Sequence, residues 1–142
     1  MSDDPIIRAS VAGTVVFVVV AAAAAAAPDA LAVPTVVLDL VLFAAGCVAF
    51  VVGLLRAADR SRTEAVTIPG IWWLSGSAPA PVRRALLGAL AVEVVVALAT
   101  ASIRPFTALA FGILAPMYGL GLAGLWGAQR GTFPPRATPP TV

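Results

Sequence analysis

The stretch Ala85–Ser102, ALLGALAVEVVVALATAS, carries a single charged residue inside a continuous apolar run. At ~1.5 Å per helical residue it reaches ~27 Å, close to the ~30 Å hydrocarbon core of a bilayer. Three further runs share this character: Ile6–Ala27, Val36–Leu55 and Phe106–Ala128. Their lengths predict an all-α, four-helix transmembrane bundle with a loop over 56–84 and a proline-rich tail over 129–142.

Composition points the same way. Apolar residues make up 61% of the 142-residue chain and charged residues only 11%. A soluble domain carries about 25% charge, and one of this size could not hide so much apolar surface in one core. The net charge of +2 comes from nine arginines with no lysine. It reflects where those arginines sit, so no nucleic-acid partner is implied.

Missing residues exclude much chemistry. Histidine is absent, which removes imidazole bases and histidine-ligated haem or zinc. The lone cysteine, Cys47, can form neither an internal disulfide nor a dithiol pair, and it reads as a small core residue. Gly119-Leu-Gly121-Leu-Ala-Gly124 matches the letters of a dinucleotide fingerprint, but no strand precedes it. The expectation is a protein that is not an enzyme and binds no cofactor or metal.

The arginines set the expected topology. Arg8, Arg56, Arg60, Arg62, Arg83, Arg84, Arg130 and Arg136 lie at one set of junctions, and Arg104 alone lies at the other. By the positive-inside rule, both termini and the long loop are expected in the cytoplasm of a bacterial plasma-membrane, multi-pass protein. Signal-peptide cleavage after Ala32 is disfavoured, because Asp3 and Asp4 precede a run too long for an h-region. Pro28 and Pro34 are expected to bracket a short turn. Trp72, Trp73 and Trp126 fall at the cytoplasmic boundary, where indoles anchor at headgroups. The tail Thr132–Val142 is too rich in proline for a helix.

Four polar residues inside or near the apolar runs form the candidate functional set: Glu93, Tyr118, Thr14 and Asp39. Intramembrane carboxylates are costly and face a bundle interior, a partner or a water-filled cavity. Glu93 lies ~12 Å deep on a helix face of small residues, Ala85, Ala89, Ala97 and Ala101. Thr14 and Tyr118 fall at about the same depth, so the three can meet at one level. Asp39 is expected one turn inside the outer boundary, within reach of water or Arg104. A second ridge, Ala115, Gly119, Ala123 and Gly127, is a helix-packing face. Pro116 should bend that helix, and the short turn after Ser102 makes segments three and four the expected tightest pair. On this reading Gly119 tolerates a leucine less well than Gly131.

The phrases Ser75–Pro79, Arg83–Gly88, Phe111–Gly127 and Gly131–Arg136 resemble a group of small actinobacterial membrane proteins with four helices, for which no activity or site residue can be carried over. The likeness covers about the second half of the chain. Four-helix drug exporters also depend on an intramembrane glutamate, but theirs lies in the first helix, which has none here. The expected function is an accessory or scaffolding subunit of a larger respiratory, transport or envelope-building complex. Its expected partners are the lipid bilayer and other membrane subunits or further copies of itself. The alternative is a small oligomeric proton-coupled transporter using Glu93. A membrane enzyme using Asp39 and Glu93 is weakest, since no nucleophile accompanies them.

The topology is directly testable. In a Cys47→Ser background, a cysteine replacing Ser75 should be shielded from a membrane-impermeant thiol reagent in intact cells. One replacing Asp29 should label readily. Labelling at position 75 without lysis would reverse the orientation.

Overall fold

The computed structural model describes residues 4–137, which form five α-helices and one 3-10 helix. The α-helices are α1 (Pro5–Ala26), α2 (Pro28–Arg60), α3 (Ile68–Trp72), α4 (Ala80–Ile103) and α5 (Pro116–Arg130). The 3-10 helix, Ala108–Leu114, runs into α5. Four segments are long and apolar enough to cross a membrane: α1, α2, α4 and the composite Ala108–Arg130. The fold is therefore all-helical and consistent with a multi-pass membrane protein.

Each helix opens on or next to a proline, whose fixed φ suits the first turn and whose missing N–H is one the helix would leave free. Asp4 caps α1 by accepting the Ile6 N–H at 3.0 Å. The expected turn between Pro28 and Pro34 does not occur. The chain reverses at Ala27 alone, and α2 starts eight residues earlier than the apolar run suggested. Pro34 sits inside α2, where it removes one backbone hydrogen bond without stopping a helix whose buried face continues beyond it. At its other end α2 reaches Arg60, so its ~50 Å length exceeds a hydrocarbon core.

The closest backbone approach joins α2 to α5, which corrects the expectation that segments three and four pair most tightly. A Cβ on Gly46 would strike the Met117 carbonyl, and one on Gly121 would strike the Gly46 carbonyl. Farther along, a Cβ on Gly53 would lie 3.1 Å from the Leu125 nitrogen. Both helices therefore run in the same direction in register, Gly46 beside Met117–Gly121 and Gly53 beside Gly124–Leu125. Bare backbones can approach only where side chains are missing, and three glycines supply that room.

The ridge Ala115, Gly119, Ala123 and Gly127 is buried on a different face of the composite span. Gly119 lies against Leu90 and Glu93 of α4, and Gly127 against the Ile71 carbonyl of α3. α5 thus presents small residues on two faces, one for α2 and one for α4 and α3. The outward faces of α1, α2 and α4 expose Val19, Val41, Leu54, Val95 and other large apolar side chains. Such surface suits lipid.

Both ends of the described chain lie at the same end of the bundle as the long loop. The Asp4 carboxylate accepts from Trp126 Nε1 at 2.8 Å and faces Arg130 at 3.4 Å. Arg60 donates to the carbonyls of Ala128 (3.0 Å) and Gly131 (2.8 Å), closing the end of α5 where free carbonyls gather. It also pairs with Glu64 at 2.5 Å and lies over the Phe133 ring. The tail is extended through Ala137 and is held on the loop: Ala65 N–H donates to Pro134, Thr132 N–H to Ser77, and Arg136 N–H to Thr63. The rest of the expected tail lies outside the described residues.

The glycine contacts give a graded stability series. Gly121→Ala should destabilise by ~1–3 kcal/mol, as overpacking does. Gly88→Ala, with nothing within 4 Å, should not destabilise at all. Gly131 is no longer a neutral reference, since a Cβ there would strike the Gly127 carbonyl. Thermal unfolding of the purified variants in mild detergent separates the two, and equal losses would remove the close-approach argument.

Candidate functional site

Glu93 lies at the crossing of α1, α4 and α5 and is 1% exposed. Its Oε1 accepts from the Thr14 hydroxyl of α1 at 2.7 Å. Its Oε2 accepts from the Gly119 N–H of α5 at 3.0 Å. The second bond has a local cause. Where the 3-10 helix gives way to α5, the Ala115 carbonyl accepts the Tyr118 N–H at 2.8 Å. Gly119 N–H, in the next position, turns to the carboxyl arriving from α4. Glu93 therefore acts as a cap supplied in trans to the first turn of α5, where free N–H groups favour an anion or oxygen acceptor. Gly119 must be small for this to occur, because a Cβ there would sit 2.5 Å from Oε2.

The Thr14 hydroxyl also lies 2.9 Å from the Ser10 carbonyl, one turn earlier in α1. One hydroxyl proton can serve only one acceptor at a time. It can donate to Glu93, or it can donate to Ser10 while accepting from a group on position 93 that carries a proton. The geometry accommodates both arrangements without moving a heavy atom.

The expected meeting of Glu93, Thr14 and Tyr118 takes place only in part. The Tyr118 hydroxyl passes Glu93 and donates to the Ala9 carbonyl at 2.7 Å. Its ring fills the space over Gly13, where a Cβ would overlap it. Tyr118 is thus a second tie between α5 and α1, nearer the loop end. Depth alone could place the residue on the right level, but only the side-chain direction reveals its partner.

Asp39 departs further from expectation. It reaches neither water nor Arg104: it is 1% exposed, and neither carboxylate oxygen has a hydrogen-bond partner among the described residues. Thr35, one turn before it on the same face, is 3% exposed with its hydroxyl likewise unpartnered. Sequence reasoning did not single out Thr35, although its i, i+4 spacing from Asp39 was there to be read.

Only one of the three tryptophans lies on the surface expected of an interfacial anchor. Trp73 is exposed. Trp72 is stacked on Phe50 of α2, with ring centroids 4.2 Å apart, and its ring occupies the gap over Gly124. Trp126 is buried and spends its N–H on Asp4. Both pin the loop end together from inside.

A concavity of about 570 Å³ opens sideways between α2 and α4. Its walls include Phe43, Leu87, Ala91 and Val94, with Met117 and Leu120 of α5 also lining it and Trp73 beside them. The surface is almost wholly apolar. No protein-family model, curated protein or solved structure matches the chain, and the likeness to small actinobacterial membrane proteins gains no support from these comparisons.

The Glu93 geometry distinguishes two substitutions. In Glu93→Gln the amide oxygen can accept from Gly119 while the amide N–H₂ donates to Thr14, whose own proton then goes to Ser10. Folding should be nearly unchanged. Glu93→Leu strands the buried Gly119 N–H at a cost of ~1–3 kcal/mol, while the Thr14 hydroxyl turns to the Ser10 carbonyl. Thermal unfolding of both variants in the same detergent checks this ordering; equal losses would mean that hydrogen bonding at this crossing is unimportant.

Proposed function

We propose that the protein is an accessory or scaffolding subunit of a larger plasma-membrane complex, with both termini and the 61–79 loop in the cytoplasm. The observation that carries this reading is the lateral apolar groove between α2 and α4. It offers room for a row of side chains from a docking transmembrane helix, and it has few polar groups with which to orient a small polar substrate. Glu93 supports the same reading, because both of its oxygens are engaged in joining α1, α4 and α5. No catalytic role is proposed for any residue.

The rival reading, an oligomeric transporter that moves protons through Glu93, draws on the two hydrogen-bond arrangements open to Thr14. It would require a carboxyl that tolerates repeated loss of its structural partners. Proton flux in proteoliposomes of the purified protein, lost in Glu93→Gln while folding persists, would favour it.

A photo-crosslinking residue placed at Ala91, in the groove, should yield one discrete protein adduct in intact membranes. The same probe at Val19, on the exposed face of α1 away from the groove, should yield only lipid adducts. Lipid adducts alone at both positions would remove the scaffolding reading.

A further inference from the structure

Asp39 and Thr35 are the polar pair in the bundle that the fold leaves unexplained. The carboxylate oxygens and the hydroxyl are buried, share one face of α2 and have no partner among the described residues. Buried polar groups in proteins are nearly always paired, and within a membrane-spanning segment the cost of leaving them bare is higher still. Unlike Glu93, Asp39 contributes no hydrogen bond to holding helices together. Its burial calls for completion from outside the fold, by a cation or a proton.

The surroundings narrow what that is. The parallel register of α2 and the fourth span, set by Gly46 beside Met117 and Gly53 beside Gly124, carries Asp39 opposite the Ala108–Leu114 turns. α2 packs directly on that 3-10 helix. Hydrogen bonds in 3-10 turns have poorer geometry than those of an α-helix, so their peptide oxygens are less fully committed. Interrupted helices deep in membrane proteins use such oxygens to coordinate small cations. The unpartnered donor set is thus a carboxylate and a hydroxyl, both hard ligands. It holds a single negative charge: no salt bridge joins Asp39 to Arg104, and no group of three or more acidic, histidine or cysteine side chains gathers among the described residues. One carboxylate neutralises one positive charge.

We propose that Asp39 and Thr35, facing the 3-10 turns of the fourth span, form a binding site for a dehydrated monovalent cation, for which sodium is the probe. The cation would satisfy both carboxylate oxygens and the Thr35 hydroxyl together, and it would fasten α2 to the interrupted segment that glycine contacts hold only farther along. The site is separate from Glu93 and from the lateral groove, so its failure would leave the scaffolding reading untouched.

Dicyclohexylcarbodiimide tests this, since it modifies membrane-buried carboxyls in their protonated form and a bound cation excludes that proton. Purified full-length protein is treated at constant ionic strength in sodium, potassium or choline chloride, and the adduct at Asp39 is quantified by peptide mass spectrometry. Sodium at ~10 times its dissociation constant leaves about a tenth of sites free, so labelling should slow roughly tenfold. Choline should give no protection, and Thr35→Val should shift protection to higher sodium. A second readout covers the case in which Asp39 does not react: sodium should raise Tm in a saturable manner for wild type and not for Asp39→Asn. Labelling indifferent to sodium, or no labelling together with no sodium-dependent Tm shift, would overturn the proposal and leave Asp39 as a buried neutral acid.

Discussion

The fold depends on how the fourth span satisfies its backbone where it stops being regular. A continuous α-helix bonds its own peptide groups, but this span changes from 3-10 to α geometry at Ala115–Pro116. Proline contributes no N–H, and the N–H groups of the new first turn point back into the bundle. Water could satisfy them in a soluble protein; lipid cannot. The Tyr118 N–H goes to the Ala115 carbonyl and the Gly119 N–H to Glu93 of the neighbouring helix, whose other carboxyl oxygen Thr14 holds. One side chain therefore sets the depth and rotation of α1, α4 and α5 at once. Because the contact needs an oxygen acceptor on one helix and a bare backbone on the next, Glu93 and Gly119 act as a unit.

The remaining helix, α2, is fastened by a different means. It shares none of that polar crossing and instead meets α5 through Gly46, Gly53 and Gly121, backbone against backbone. In a bilayer, apolar side chains gain little by leaving lipid for protein, so close contact has to come from shape. α5 accordingly needs small residues on two faces, which explains why Gly119, Gly121, Gly124 and Gly127 crowd one helix. Their cost in helix propensity is offset by packing on both sides. The loop end supplies the third fastening. Trp72 fills the space over Gly124, Trp126 binds Asp4, and Arg60 closes the carbonyl end of α5.

The sequence made much of this legible and left identifiable parts hidden. Run length alone exposed four spans, because the hydrocarbon thickness imposes a minimum that loops do not meet. Counting depth along two helices was enough to bring Thr14 to Glu93. The same counting failed for Tyr118, since a long side chain can reach a carbonyl more than a turn from its own level. Pro34 misled in another way: its effect depends on whether the helix has a buried face to continue, and Thr35, Asp39 and Leu42 supply one. The α2–α5 contact was hidden because the sequence shows a ridge at every fourth residue from Ala115, while Gly121 and Gly124 lie on the opposite side of the same helix. Indoles near a boundary suggested headgroup anchors. Packing over Gly124 drew Trp72 partly inside instead, and the bond to Asp4 drew in Trp126.

Glu93 and Asp39 show how one residue type takes two roles in the same bundle. Both are buried to the same degree, and both sit on helices that otherwise carry only small or apolar side chains at that level. They differ in what faces them. Glu93 meets a hydroxyl and the N–H of a helix start, which are donors, and a carboxyl oxygen needs only to accept from them. Asp39 meets the turns before that start, and the Thr35 hydroxyl beside it is unsatisfied as well. Donors complete an acid from within the fold, whereas an acid that no donor reaches can be completed only by a positive charge or a proton from outside it. The two situations arise a few turns apart, one where the fourth span offers the free Gly119 N–H and one where the chain offers Asp39 no donor. That asymmetry is why Glu93 acts as a fastening of the bundle and why Asp39 is the residue placed to receive something the chain itself does not provide.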